Sequence, residues 1–375
     1  MSAIPLSFYI HMPWCIRKCP YCDFNSHALH QDLPEEAYIN ALINELRQQI
    51  ALIEKRPIHT IFIGGGTPSL FSQTAYQKLF EEIKKQCLLK KEVEITLEAN
   101  PGSVEQTKFR GYREIGINRL SIGVQSFQND KLKVLGRIHS AEEAKQAINI
   151  AKQAGFENIN VDLMFGLPDQ KVNEALDDLQ TALDLEPTHL SWYQLTLEPN
   201  TFFYKHPPAL PTDDYIWEIQ SKGRKLLRRD GFAHYEVSAY SRSNRFCQHN
   251  INYWEFGDYL GLGAGAHSKL TIQGKITRYW NIKNPRFYMD AQKPFIEGRQ
   301  TLAPNELPLE FMMNALRLQK PIPLTLFTER TGLSPSVLVP WLETAKERNL
   351  LQCDNKYLTV TPLGHRFLNE LLISL

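Results

Sequence analysis

Tyr9-Ile10-His11-Met12-Pro13-Trp14-Cys15-Ile16-Arg17-Lys18-Cys19-Pro20-Tyr21-Cys22-Asp23-Phe24 is the stretch on which the reading of this chain turns. An apolar run, Ser7–His11, has the look of a strand and leads past a proline into three cysteines spaced C-x3-C-x2-C. Three of the six cysteines fall in this one loop, and Cys87, Cys247 and Cys353 are scattered and read as ordinary core or surface thiols. The segment Met1–Tyr9 lacks the basic start and the cleavage site of a secretory signal. No run of about 18 apolar residues, as a membrane span needs, occurs anywhere. The chain is therefore expected in the cytoplasm, where thiols stay reduced, and the triplet reads as a metal site rather than a disulfide framework.

Outward from that loop, short apolar runs alternate with helical patterns. The strand candidates are Ser7–His11, His59–Ile63, Glu92–Glu98, Asn118–Val124, Asn158–Phe165 and His189–Leu197. Tyr38, Leu42, Leu46 and Ile50 recur every four residues and mark one helix face. Ser103 with Gln106, and Ser140 with Glu143, read as capping boxes, and Gly155 as a helix stop. Successive β-α units imply a parallel sheet, since each crossover needs a helix, and six of them are fewer than close a full barrel. The expected fold is α/β, a partial (β/α)6 barrel over residues 1–206 with its functional groups at the C-terminal ends of the strands. The Cys triplet and Gly64-Gly65-Gly66 both fall at that rim.

The 375 residues leave room for smaller units behind such a barrel. Residues 207–300 read as a connecting region, with a helix over Asp213–Arg229 whose basic residues form a solvated face. Residues 301–375 read as a winged-helix-like α+β domain: helices at Glu306–Arg317, Leu324–Thr331 and Ser334–Asn349, a hairpin over Leu350–Thr361, and a last helix. Seven Lys/Arg against seven Asp/Glu in this tail, and a net charge of +1 for the chain, argue against nucleic acid as a partner.

Three thiolates can hold three irons of a cubane and leave the fourth open. The amino and carboxylate groups of S-adenosylmethionine (SAM) suit that position as a chelate, and an electron from the cluster can then cleave a carbon–sulfur bond of SAM. The rival is a structural zinc site, with His11, His27 or His30 beside the cysteines. Gly64-Gly65-Gly66-Thr67-Pro68 fits neither a P-loop nor a dinucleotide fingerprint, and its glycines suit a close backbone approach to the SAM amino group.

The Tyr9–Cys15 and Cys19–Phe24 segments resemble the radical SAM family of oxygen-independent coproporphyrinogen III oxidases and their relatives. Gly64–Pro68, Glu98-Ala99-Asn100-Pro101, Gly123–Phe127, Arg137 and Asp162–Pro168 extend the resemblance in the same order over essentially the whole chain. It implies a radical SAM barrel with a [4Fe–4S] cluster on Cys15, Cys19 and Cys22. It implies SAM contacts from Tyr9 and Tyr21, from Gly65, Gly66 and Thr67, and from Glu98, Gln125, Arg137 and Asp162. Gly261–Ser268 also matches and would bring His267 back to the SAM pocket.

Two departures point away from the oxidases. Phe24 stands where they carry a further Cys, and their N-terminal extension before the first strand is lacking. Phe24 resembles instead the haem-chaperone branch of the family, and His249-Asn250-Ile251-Asn252-Tyr253 matches that branch's HNxxY motif. A neutral imidazole is a good axial ligand for haem iron, a Tyr oxygen can also serve, and Cys247 is near enough to be a rival. On a helix His249 and Tyr253 share a face, and Trp254, Phe256 and Tyr259 would supply an apolar surface. The resemblance implies haem bound through His249, Asn250 and Tyr253 and passed to respiratory, membrane-bound acceptors, with the protein cytoplasmic or peripheral at the inner membrane face. Coproporphyrinogen oxidase turnover is not expected, although SAM cleavage is open. The alternatives are such an oxidase and a zinc-stapled nucleic-acid-binding module.

Overall fold

The computed structural model describes residues 4–102 and 106–375. The six expected strands are present as β1 (Leu6–Met12), β2 (Ile58–Gly65), β3 (Leu89–Ala99), β4 (Arg119–Gln125), β5 (Ile159–Phe165) and β6 (His189–Gln194). They lie side by side in chain order and all pair in parallel. Alternation decides what each presents. Leu6, Phe8, Ile10 and Met12 are fully buried in the core, while Tyr9 and His11 border a cavity.

Helices α1 (Glu35–Gln49), α2 (Gln73–Gln86), α3 (Ala141–Gln153) and α4 (Val172–Asp184) supply crossovers. Tyr38, Leu42 and Leu46 are fully buried on α1, and Ile50 opens the short 3-10 turn that follows. Ser140 and Glu143 form the expected capping box at the start of α3, and Gly155, at φ +86°, lies just past its end. The other expected box cannot be described, because Ser103 lies outside the described residues; the Gln106 amide donates to Pro101 and Glu143 carbonyls.

The stretch 207–300 goes beyond a connection. After α5 (Asp213–Arg229), β7 (Ala233–Glu236) and β8 (Ala239–Ser241) add antiparallel strands to the β6 edge. Beyond helix α6 (Gln248–Trp254), β9 (Asp258–Leu262) pairs in parallel with the free edge of β1. An antiparallel ribbon of β10 (His267–Ile272), β11 (Lys275–Asn281) and β12 (Ile296–Thr301) follows. The result is one open sheet of twelve strands, seven of them a parallel block. Strands such as β12, with Glu297, Arg299, Gln300 and Thr301 exposed, carry no continuous apolar run, so the period that betrays buried parallel strands is missing from them.

The C-terminal unit has the expected elements: α7 (Leu307–Ala315), α8 (Leu324–Thr331), α9 (Val339–Glu347) and a three-stranded sheet of Ile322–Pro323, Leu351–Cys353 and Tyr357–Val360. Phe311, Phe327, Trp341 and Leu358 form its own core, which Ile276 of β11 and Phe256 of the loop between α6 and β9 join. Polar seams complete the joint, with the Arg330 guanidinium donating to the Glu255 carbonyl at 3.1 Å and Arg317 pairing with Glu236 at 3.3 Å. Among the described residues no helix is long and apolar enough to cross a membrane.

Candidate functional site

The loop after β1 and the glycine loop after β2 are sewn together by their backbones. Gly66 N–H donates to the Met12 carbonyl and Thr67 N–H to the Trp14 carbonyl, each at 2.7 Å. A Cβ on Gly65, at φ +114°, would come within 2.5 Å of the His11 ring, and one on Gly66 within 2.5 Å of the Trp14 carbonyl oxygen. These glycines are demanded by the approach of the cysteine loop itself, and two of the N–H groups that might have met a ligand are already spent. Asn25 ties the far side of the same loop to the Ala264 and Lys283 carbonyls at 2.9 Å.

Cys15, Cys19 and Cys22 line a cavity of about 320 Å³ at the C-terminal rim of the strands. Burial pushes the Cys15 and Cys22 thiols up, and hydrogen bonding from Ser26 pulls the other way. Metal binding displaces such protons, so the donor set suits a thiophilic cluster. Among the described residues no three His, Cys, Asp or Glu side chains draw together around a single ion.

The same cavity is lined by most of the residues expected there: Tyr21, Gly65, Gly66, Thr67, Glu98, Gln125, Arg137 and Asp162. Arg137 reaches from beyond β4 to place one terminal nitrogen 3.6 Å from Cys19 Sγ and the other on Asn100 Oδ1 and the Gly123 carbonyl, both at 2.7 Å. Gln125 follows a bulge at the end of β4 and adopts φ +70°, which turns its amide to accept from the Tyr193 hydroxyl at 2.8 Å. Asp162 accepts from Ser121 at 3.0 Å and Asn160 at 2.8 Å. Glu98 accepts from Gly65 N–H at 3.1 Å; burial, and then the charge of Asp162, pushes its carboxyl up to about 8. Sequence reasoning missed Ser121, Asn160, Ser191 and Tyr193. All lie on the inward face of their strands, a signal that alternation alone could have offered.

A larger chamber of about 860 Å³ opens on the other side of Glu98 and Asp162. Tyr9 and the exposed His267 border this chamber rather than the cysteine cavity. So do His249, Asn250 and Tyr253 of α6, with Trp254 and Tyr259 beside them. The N-terminus of α6 is pinned by Glu94 of β3, whose carboxylate accepts from the backbone N–H groups of Gln248 and His249, each at 3.1 Å. Cys247, expected as a possible rival ligand, is buried away from the chamber, with its Sγ 3.8 Å from Glu94.

His249 is 1% exposed and stacks on Phe62, with ring centroids 5.0 Å apart; Tyr253 meets it edge-on at 4.7 Å. Its Nδ1 lies 2.8 Å from the Thr60 hydroxyl, which donates its only proton to Ser7. Thr60 can therefore only accept from His249, so Nδ1 carries the ring proton and Nε2 keeps a lone pair. Among the described residues that Nε2 has no hydrogen-bond partner. Burial, and then the charge of Arg119, pushes the imidazole pKa down to about 3, so it stays neutral.

Comparison with known proteins brings the same two features together. Residues 9–182 match the radical SAM superfamily and residues 302–367 match the HemN C-terminal domain. The chain is 49% identical to the haem chaperone HemW of Haemophilus influenzae and 48% identical to that of Escherichia coli, each alignment covering 98% of this chain and 97% of the relative. The HemW of Bacillus subtilis is 34% identical over 97% of both chains. Among solved structures, the Escherichia coli coproporphyrinogen III oxidase HemN, a radical SAM enzyme, superposes with a TM-score of 0.84 at 22% identity, over 99% of this chain and 90% of that one.

Proposed function

The chain belongs to the HemW family of haem chaperones, built on a radical SAM domain, and from that premise we propose that it binds haem against α6 and passes it to acceptor proteins. One observation carries the haem reading: His249, whose buried Nε2 is neutral and without a partner among the described residues, borders a chamber of the size that holds cofactors. An imidazole whose other nitrogen is fixed by a hydrogen bond is the usual form of a metal-binding histidine. Asn250 and Tyr253 would flank the bound macrocycle.

Cys15, Cys19 and Cys22 would hold the [4Fe–4S] cluster, with Tyr21, Gly65, Gly66, Thr67, Gln125 and Arg137 around the SAM that completes it. Tyr9, Glu98, Asp162 and His267 would close this site towards the chamber. When bound, cluster and SAM supply single-electron chemistry at a sulfonium carbon. Arg137, beside Cys19, would hold negative charge at the cluster, and Phe24 would keep an apolar edge where a fourth thiol is absent. We assign no porphyrinogen decarboxylation to this chain. The acceptors would be respiratory enzymes at the inner membrane face, met by a cytoplasmic protein that visits it.

The test is transfer of haem from the loaded protein to an apo-haemoprotein, followed spectroscopically with and without the reduced cluster and SAM. Transfer that depends on both is expected. A rate no different from that of free haem under either condition would remove the chaperone reading.

Glu98 offers a second measurement. A carboxyl with a pKa near 8 is mostly protonated at pH 7, and the permanent sulfonium charge of SAM beside it favours the ionised form. Binding of SAM at pH 7 should therefore expel a proton, and at pH 9, where Glu98 is already ionised, should expel almost none. Calorimetry in two buffers of different ionisation enthalpy reads the difference, and Glu98→Gln should cut the release at pH 7 by the share that Glu98 supplies. No proton release at pH 7 in the wild type would sink the assignment of Glu98 to the SAM site.

A further inference from the structure

Arg119, the first residue of β4, is 2% exposed and borders the chamber on its α6 side. Among the described residues its Nε has no hydrogen-bond partner, and no carboxylate forms an ion pair with its guanidinium. The acids nearest to it are already engaged. Glu94 accepts from the backbone of Gln248 and His249, and Asp162 accepts from Ser121 and Asn160. Their charges still favour the guanidinium at longer range, but its fork has no hydrogen-bonded anion; a buried cation in that state is costly, and chains keep one where a ligand of opposite charge completes it. The guanidinium is a planar fork that matches a carboxylate in two hydrogen bonds. It also lies near enough to His249 for its charge to be felt by the imidazole.

We propose that Arg119 anchors a carboxylate of the chamber's occupant, a propionate of the tetrapyrrole whose iron meets His249. This deepens the haem reading and rests on it. The anchor would fix the in-plane orientation of the macrocycle, which a single axial bond leaves free to rotate. It also separates propionate-bearing tetrapyrroles from those whose side chains are neutral.

The full-length protein is titrated with haem, with haem dimethyl ester, whose propionates are capped, and with protoporphyrin IX, which has propionates and no iron. Wild type should prefer haem to its ester by about tenfold to a hundredfold, the range of a charge-assisted hydrogen-bonded pair. Arg119→Gln should weaken haem and protoporphyrin, leave the ester unchanged, and so erase the preference. Arg119→Lys keeps the charge without the fork and should retain part of the preference; it stands in where the glutamine variant fails to fold. Equal wild-type affinity for haem and ester, an equal loss for both in Arg119→Gln, or an undiminished preference in Arg119→Lys overturns the anchor. If haem affinity ignores His249→Ala while Arg119→Gln still erases the ester preference, the iron-ligand assignment fails and the anchor stands.

Discussion

Cys19→Ser protein, purified and reconstituted without oxygen, is expected to hold at least about tenfold less iron and sulfide than wild type, since even changes outside the ligand set cost metal sites that much. Cys19 is one of only three thiols on the cavity wall, and Arg137 sits 3.6 Å from its sulfur. A hydroxyl in its place is a poor ligand for iron in a sulfide cluster and leaves that guanidinium facing no thiolate. The loop's backbone bonds to the glycine loop do not involve the Cys19 side chain, so the variant should melt close to the temperature of the wild-type protein purified without its cluster. Cys353→Ser, in the C-terminal unit and far from the cavity, serves as the control and should keep its full content. A Cys19→Ser protein with undiminished iron and sulfide would remove the triplet from the cluster.

His249→Ala should weaken haem binding by about tenfold to a hundredfold and change the Soret band. The pairing of Nδ1 with Thr60 leaves one lone pair free at a buried nitrogen. Truncation also removes the ring stacked on Phe62, so some loss of stability accompanies it. Added imidazole separates the two effects. It can enter the space left by the ring and bind the iron, and should restore the wild-type spectrum without restoring the melting temperature. An unchanged spectrum in the alanine variant would show that the iron binds elsewhere.

Much of this architecture was legible because parallel strands are buried on both faces and so appear as apolar runs. Every one of the six expected strands overlaps an observed one, with ends shifted by a few residues. The three cysteines and the Gly64–Gly66 loop could be placed at one rim because the β-α alternation puts all such loops there. The ribbon at the β9 edge was invisible for the converse reason: Lys275, Glu297 and Arg299 break the apolar run on its wet face. Nor could the sequence reveal that Tyr9 and His267 border one compartment and Gln125 another, or that Glu94, 155 positions upstream of His249, pins the start of α6. Such contacts depend on register between distant segments. Arg119 is the extreme case, since a lone arginine at a strand start carries no pattern at all.

Glu98 and Asp162 belong to both compartments, one face towards the cysteines and one towards α6. A partition of this kind makes the two occupancies thermodynamically reciprocal. If filling the sulfonium side raises affinity on the tetrapyrrole side by some factor, filling the tetrapyrrole side must raise affinity for the sulfonium by that same factor. Loading order then follows from the two concentrations set against the two intrinsic affinities, and the pair of carboxyls is where any such cooperativity would be written.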